Sequence, residues 1–347
     1  MRKTNPERHE PQADEASGGK QHGVRVGNMI VLAQPNEQRL ESFTHRLLAQ
    51  SYRVRETPHF VVCHEPAANK SLLMHRFSQA EIDADLITLI EQELPNVGLL
   101  TSPQEYATVL FAVLASTFPA PRNQALIWRH FCLNTLARLR VLIAQAPEPF
   151  HTAASHVVPF AAIYKRVMEL VVGNSLLDVG SSFGFLPVLM AERASNMSLV
   201  GCDINPDALR CSTDLAAVSQ MNQVTFLLRD VLSADFPAVG HFDTVTAVHL
   251  LEHLTEEELP VALAHLLHVA ARRLLIAVPY EEQAQPLYGH QQTFTPEKLD
   301  YWGKWCVERR GGAARYHCEE VMGGLLIIDC SSDQREGGIC DSVTRLS

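Results

Sequence analysis

Apolar residues follow two different patterns along the chain, and the pattern changes near residue 150. Before that point they recur at helical spacing, after N-cap residues such as Ser78 and Asn123. Two short β-branched runs precede these helices and predict a small strand element at 28–33 and 59–63. The region 28–150 is therefore predicted to be mainly α-helical, with helices over 78–95, 103–117 and 123–145.

Beyond residue 150, apolar runs alternate with helical stretches, which is typical of a parallel sheet covered by helices on both faces. Two helices between the runs have recognisable N-terminal signals. Asn205 is an N-cap with Pro206 at the first helical position, and Thr255 forms a capping box with Glu258. The pattern predicts a doubly wound α/β domain over 151–331. Its candidate strands are 175–179, 198–202, 224–228, 244–248, 274–278 and 325–328.

Polar segments are predicted at both ends of the chain and between its two regions. Residues 1–27 lack the apolar core of a secretion signal and are expected to form a disordered tail. Pro147 and Pro149 mark a linker, and 332–347 are expected to form a flexible C-terminal tail. The longest apolar run, 107–118, is shorter than the roughly 20 residues of a membrane span, so a cytoplasmic protein is expected.

The composition is that of an ordinary globular protein, with 46% hydrophobic and 20% charged residues. The formal net charge of -10 disfavours nucleic acid as the partner, because binding to a phosphate backbone depends on basic surfaces. The 8 cysteines include no CxxC pair, so the sequence predicts neither a disulfide framework nor a metal site.

Residues that bind a ligand in doubly wound sheets stand at the ends of the predicted strands. The first strand ends at Asp178, and Gly180 and Gly184 follow in a turn that permits positive φ and close approach of a ligand. Asp203 ends the second strand, where a carboxylate can bind both hydroxyls of a ribose, and Asp230 follows the third. One aspartate alone is also explained as a helix cap, but the series indicates a common crevice.

The fourth strand ends in Leu251, Glu252 and His253, and with it the domain resembles the class I S-adenosylmethionine-dependent methyltransferases. The resemblance implies a seven-stranded Rossmann-like sheet and S-adenosylmethionine as the cofactor. It also implies roles for individual residues: the methionine part lies beside Asp178, Gly180, Ser182 and Gly184, the ribose beside Asp203 and Ile204, the adenine beside Asp230 and Val231, and the methyl group beside His249.

The glycine loop departs from the family pattern at Ser182, where members usually carry a third glycine. A nicotinamide-binding loop is disfavoured more strongly, because Ser182 and Pro187 stand where its G-x-G-x-x-G pattern needs glycine.

Methyl transfer to a hydroxyl requires that a proton be removed as the new bond forms, which imidazole and carboxylate groups can do. His290, His249 and Glu282 are the candidate catalytic residues, because the fourth strand and the loop after the fifth bring them to the expected methyl position. The fourth strand lacks the Asn/Asp-Pro-Pro-aromatic turn of amino-group methylases. A small-molecule or saccharide hydroxyl is therefore the predicted acceptor.

The segment 279–294 is similar to bacterial enzymes that methylate sugar hydroxyls, among them the mycofactocin oligosaccharide methyltransferases. Two other interpretations stay open, a protein or RNA methyltransferase and a catalytically silent domain that serves as a scaffold. The N-terminal helices are expected either to cover the cofactor cleft or to form a homodimer interface.

Overall fold

The computed structural model describes residues 23–34, 37–48, 52–100, 102–145, 155–285, 288–311 and 314–330. The predicted linker at Pro147 and Pro149 and the tail at 332–347 lie outside the described residues, as do residues 1–22 of the predicted N-terminal tail. Among the described helices, none combines the length and apolar character that crossing a bilayer requires.

The N-terminal region contains a five-stranded sheet that the sequence predicted only in part. Its order is β1-β2-β5-β4-β3, with β2 and β5 parallel and the other neighbours antiparallel. Only β2 and β4 fall in the predicted runs, because the other strands are short or largely polar. The strands are β1 Val24–Val26, β2 Met29–Ala33, β3 Arg53–Glu56, β4 Phe60–Glu65 and β5 Lys70–His75.

Four helices accompany this sheet: α1 Glu37–Leu48, α2 Asp85–Glu93, α3 Pro103–Ser116 and α4 Gln124–Ala144. The predicted start of α2 at Ser78 is wrong, although Glu81 does accept hydrogen bonds from the Ser78 backbone and hydroxyl. Side chains of α4 bind the backbone here, since Asn134 donates to the carbonyls of Gln79 and Ile82. These contacts replace helical hydrogen bonds, and α2 begins only at Asp85.

The C-terminal region forms the predicted doubly wound α/β domain around a seven-stranded sheet in the order β11-β12-β10-β9-β6-β7-β8. Five strands are parallel, and β12 runs antiparallel to β10 and β11. Two of the predicted strands, β6 and β8, have the predicted bounds. The strands are β6 Ser175–Val179, β7 Ser198–Asp203, β8 Val224–Leu228, β9 Phe242–Val248, β10 Ala270–Val278, β11 Arg315–Glu320 and β12 Gly324–Asp329.

Helices cover both faces of this sheet, as the alternating pattern predicts. Their bounds are α5 Val157–Leu170, α6 Phe185–Arg193, α7 Pro206–Val218, α8 Leu259–Val269 and α9 Pro296–Arg309. The side chains of α8 and α9 share one apolar core with the sheet. On the other face, α5 and α6 share a core with the sheet and with the N-terminal region. Helix α4 packs directly against α5 and α7.

Candidate cofactor and acceptor site

The loop between β6 and α6 is held against the end of β7. The backbone N–H groups of Gly180 and Ser181 both donate to the Cys202 carbonyl, over 2.8 and 2.9 Å. Gly184, the N-cap of α6, has a φ of 75°, and a Cβ added to it would lie 2.5 Å from the Phe226 ring. Only glycine fits this position without strain or a clash, because both the dihedral angle and the packing exclude a side chain.

Ser182 adopts a backbone conformation that favours glycine, the residue usual at this place in the methyltransferases that the loop resembles. Its φ is 48°, in the left-handed region that costs a non-glycine residue about 1–2 kcal/mol. Its N–H donates to Oδ2 of Asp203 over 2.8 Å, which holds the loop in place. The loop therefore keeps a left-handed turn despite the serine.

The carboxylate of Asp203 is fixed by backbone donors on both of its oxygens. Oδ2 accepts from Ser182, and Oδ1 accepts from the Asn205 N–H over 2.8 Å. Each carboxylate oxygen can accept a further hydrogen bond, so the group is oriented and still able to bind two hydroxyls. Beside it, the Ile204 side chain is 68% exposed and offers an apolar surface next to the predicted ribose position.

Asp230 and Val231 follow β8 as the sequence predicted. Oδ1 of Asp230 accepts from the Leu232 N–H over 2.8 Å, while its side chain is exposed. Val231 is buried, and its carbonyl lies 2.7 Å from Nδ1 of His265 on α8. Asp203 thus ends β7 and Asp230 follows the neighbouring strand β8; the first carboxylate is half-buried and the second is exposed.

Asp178 differs from these two aspartates because it is buried. Thr246 on β9 donates a hydrogen bond to its Oδ1 over 2.7 Å. Burial, together with the nearby Asp203, raises the pKa of Asp178 to about 7, although the Thr246 hydrogen bond acts to lower it. The carboxyl is therefore poised to change charge near neutral pH when a cationic group approaches.

His249 lies directly beyond β9, next to the glycine loop. Its φ is 52°, and its N–H donates to the Ala277 carbonyl of β10 over 2.9 Å. The ring lies 4.8 Å from that of Phe160 on α5. The next residue, Leu250, packs against Gly180, where an added Cβ would lie 3.0 Å from its side chain. The glycine loop, predicted to bind the cofactor, is thus adjacent to His249, which was predicted to lie beside the methyl group.

Glu252 is fully buried, and neither of its carboxylate oxygens has a hydrogen-bond partner. Nδ1 of His249 is 3.2 Å from Oε1, close enough for electrostatic attraction but without the alignment that a hydrogen bond needs. The Glu252 carbonyl accepts from the Gln291 N–H over 2.8 Å. This bond fastens the loop after β10 to the end of β9.

His290 lies in that loop, and its Nδ1 is 2.8 Å from Oε2 of Glu281. Glu282, which the sequence predicted as catalytic, has an exposed side chain at the bend that follows Glu281. The ring of His253 lies 4.9 Å from that of His290. The structure therefore gathers His249, Glu252, His253, Glu281 and His290 into one group, the acceptor-side cluster.

The N-terminal region and α5 reach this cluster, which the sequence left open. Tyr288 donates a hydrogen bond to Glu91 of α2. The ring of His156, at the start of α5, lies 6.1 Å from that of Tyr288. Burial, together with the neighbouring His249, lowers the pKa of His156 to about 4, although Asp85 acts to raise it. Only the order of the packed elements, and no local motif, brings these residues to the site.

The sheet order, the glycine loop and the strand-end carboxylates form a Rossmann-like domain. Residues 176–272 match the family model described as a methyltransferase domain. The cofactor of this class is S-adenosylmethionine. Two surface hollows, one lined by His268 and Arg310 and the other by Phe77 and Arg138, lie outside this cleft and contain none of the predicted site residues.

Several solved methyltransferase structures are similar to this chain at low identity. Magnesium protoporphyrin IX methyltransferase from Synechocystis PCC 6803 is 17% identical, over 61% of this chain and 98% of that chain, with a TM-score of 0.39. An O-methyltransferase family protein from Burkholderia thailandensis is 14% identical, over 71% and 93%, with a TM-score of 0.40. The methyltransferase domain of bacterial CtHen1 is 17% identical, over 49% and 95%, with a TM-score of 0.38. At these identities the acceptors of these proteins are not assigned to this chain.

Proposed function

We propose that the protein transfers a methyl group from S-adenosylmethionine to a hydroxyl oxygen of a small-molecule or saccharide acceptor. The observation that carries the proposal is the acceptor-side cluster of imidazoles and carboxylates beside the glycine loop. In the reaction the acceptor oxygen forms a bond to the methyl carbon while the bond from carbon to sulfur breaks. The electron pair of that bond stays on sulfur, giving S-adenosylhomocysteine, and the hydroxyl proton leaves.

On the cofactor side, Asp203 would bind the ribose hydroxyls, because its carboxylate is already oriented by two backbone donors. Ile204, Asp230 and Val231 would lie along the adenosine, and Gly180, Ser182 and Gly184 would allow the methionine part to approach the backbone. A loop that is oriented before binding loses little entropy when the cofactor arrives.

On the acceptor side, two imidazoles each lie close to a carboxylate, His290 to Glu281 at 2.8 Å and His249 to Glu252 at 3.2 Å. A carboxylate on one ring nitrogen orients the ring and leaves the other nitrogen to accept a proton or a hydrogen bond. Such groups suit a hydroxyl, which must lose a proton during transfer. These two histidines therefore remain the proposed groups at the acceptor oxygen.

The charge around the cluster favours a neutral acceptor over RNA. Three carboxylates, Glu91, Glu252 and Glu281, lie in or beside it, and a phosphate backbone would be repelled by them. A saccharide instead offers hydroxyls, which donate hydrogen bonds to carboxylates and imidazoles. The similarity of 279–294 to sugar-hydroxyl methyltransferases supports the same class of acceptor.

Calorimetric titration with S-adenosylhomocysteine tests the cofactor assignment. Asp203→Ala removes two charge-assisted hydrogen bonds to the ribose, each contributing about 1.5–3 kcal/mol, so affinity is expected to fall at least about hundredfold. Asp207→Ala is the matched control, because Asp207 is an exposed carboxylate on α7 that pairs with Arg210. Equal binding by wild type and Asp203→Ala would refute the ribose assignment, and no binding by wild type would refute the cofactor.

The acceptor class is tested by transfer of a labelled methyl group from S-adenosylmethionine to oligosaccharides, glycosylated small molecules, RNA and protein. Label in an alkali-stable ether on a sugar is the expected result. Label in RNA or protein, with none in the sugars, would replace the proposed acceptor by one of the alternatives. His290→Ala and His249→Ala are both expected to reduce methyl transfer. His290→Ala is expected to leave S-adenosylhomocysteine binding intact.

A further inference from the structure

Three side chains of the acceptor-side cluster have the composition and spacing of a metal site. Glu252, His253 and His290 each offer a ligand atom, and these atoms lie within 4.8 Å of one another. We propose that they bind one divalent transition-metal ion. The sequence predicted no metal site, because the three ligands come from two segments that only the sheet order brings together.

The first argument is the unpaired carboxylate of Glu252. The residue is 0% exposed, and neither carboxylate oxygen has a hydrogen-bond partner. A buried polar group without a partner destabilises the folded state, and an unpaired buried charge destabilises it more. The approach of His249 to 3.2 Å offsets only part of this cost, since it makes no aligned hydrogen bond. A cation bound by the carboxylate would remove the penalty.

The second argument is the way the two histidines are held. Nδ1 of His290 is 2.8 Å from Glu281, which fixes that nitrogen as the donor and leaves Nε2 with a free lone pair. The His253 ring lies beside the Gly289 backbone, where an added Cβ would be 3.8 Å from its Nδ1. Histidines that bind metals typically donate their other ring N–H to a carboxylate or a backbone carbonyl. His290 has that arrangement through Glu281.

The third argument is access. Glu252 is buried, whereas His253 is exposed and His290 is partly exposed. The site therefore has a closed side, formed by the carboxylate, and an open side. A metal ion with three protein ligands keeps coordination positions for water or substrate. An ion could enter from solvent and still bind an acceptor oxygen.

The ligand set indicates the class of ion. Two imidazoles and one carboxylate suit Zn²⁺, Co²⁺, Mn²⁺ or Fe²⁺, whereas Mg²⁺ and Ca²⁺ prefer sites made of oxygen ligands. The role of the ion rests on the proposed function: it would hold the acceptor oxygen and lower the pKa of its hydroxyl. His290 would then act as a ligand rather than as the base.

The experiment uses the full chain, freed of metal by a chelator and dialysis, and titrated with Co²⁺ and Zn²⁺. Bound Co²⁺ is followed by its d–d absorption, and Zn²⁺ by calorimetry. One ion per chain is expected. Glu252→Gln and His290→Ala are each expected to weaken binding at least about hundredfold. Glu281→Gln, which alters only the partner of a ligand, is expected to weaken it about 10–100-fold.

A double variant, His241→Ala with His268→Ala, is the matched control. These rings form another close histidine pair, 5.2 Å apart and exposed at the surface. Their removal is expected to leave ion binding unchanged. The proposal is overturned if wild type binds neither ion, if Glu252→Gln binds as well as wild type, or if the control variant abolishes binding.

The same proteins are titrated with S-adenosylhomocysteine, which does not involve the ion. Retained cofactor binding by Glu252→Gln shows that the variant is folded, so its loss of metal binding is specific. If this variant fails to fold, His290→Ala and Glu281→Gln decide the question. Ion binding without cofactor binding by wild type would refute the proposed function and leave the metal site standing. Cofactor binding without ion binding would refute the metal site and leave the proposed function standing.

Discussion

Asp178→Asn removes an ionisable group that is buried beside the glycine loop. The carboxyl is 4% exposed and has a pKa of about 7 in the folded protein, because burial outweighs the hydrogen bond from Thr246. In the unfolded chain its pKa returns to the ordinary value of 3.8. Asparagine has a similar size and can still accept the Thr246 hydrogen bond, but it does not ionise.

The sign of the effect follows from the raised pKa. Between pH 3.8 and about pH 7 the folded state holds a proton that the unfolded state has released, so stability falls as pH rises. Each pKa unit corresponds to about 1.36 kcal/mol. From about pH 5 to about pH 8 the wild type therefore loses roughly 3 kcal/mol through this group, and Asp178→Asn does not. The variant gains stability relative to wild type over that interval.

Urea unfolding at the two pH values measures the free energy of unfolding of both proteins. Other titrating groups contribute equally to both, so the change in their difference isolates Asp178. Asp207→Asn, at an exposed position on α7, is expected to show no such change. A constant difference between wild type and Asp178→Asn at both pH values would refute the assignment of a raised pKa to Asp178.

Two further predictions concern packing at the site. Gly184→Ala is expected to lower the free energy of unfolding by about 2–5 kcal/mol, through a left-handed φ and a clash with Phe226, whereas Gly98→Ala costs about 1 kcal/mol. Gly98 has a φ of 78° and no atom within 4 Å of an added Cβ, so equal losses in urea unfolding would contradict the packing argument. Tyr288→Phe, which loses a hydrogen bond to a carboxylate, is expected to speed amide exchange in its own loop about tenfold or more. Tyr52→Phe, which loses a tyrosine–glutamate bond of 3.0 Å at the N-terminal sheet, is the control and is expected to leave exchange in the Tyr288 loop unchanged. Unchanged exchange in the Tyr288 variant would argue against a role of the Tyr288–Glu91 bond in holding the loop.

The α/β domain could be predicted because its strands are apolar runs that end at polar or glycine residues. Asp178 and Asp203 therefore lie near the ends of their strands, as the apolar runs before them predict. Strand β11 was missed because Arg315–Glu320 is a polar segment at the sheet edge, with no buried residue. Its register comes from pairing with β12, which local sequence does not encode.

The acceptor-side cluster was only half predictable. Strand order alone predicted His249 and His290 at the methyl position, but it did not predict the contact between His290 and Glu281. The orientation of adjacent side chains depends on backbone angles in a loop, which the residue pattern does not fix. His253 could have been included from its position beside Glu252, had the loop after β10 been expected to fold back onto it.

The apolar interior that runs from the N-terminal sheet into the α/β domain makes the two regions one folding unit. Arg129 of α4 also donates two hydrogen bonds to the Asp214 carboxylate of α7, over 2.7 and 2.6 Å. A fragment cut near residue 150 would expose a large apolar surface to water and would aggregate. Attempts to redirect specificity by exchanging the N-terminal segment between homologues must therefore transplant α4 together with the matching faces of α5 and α7.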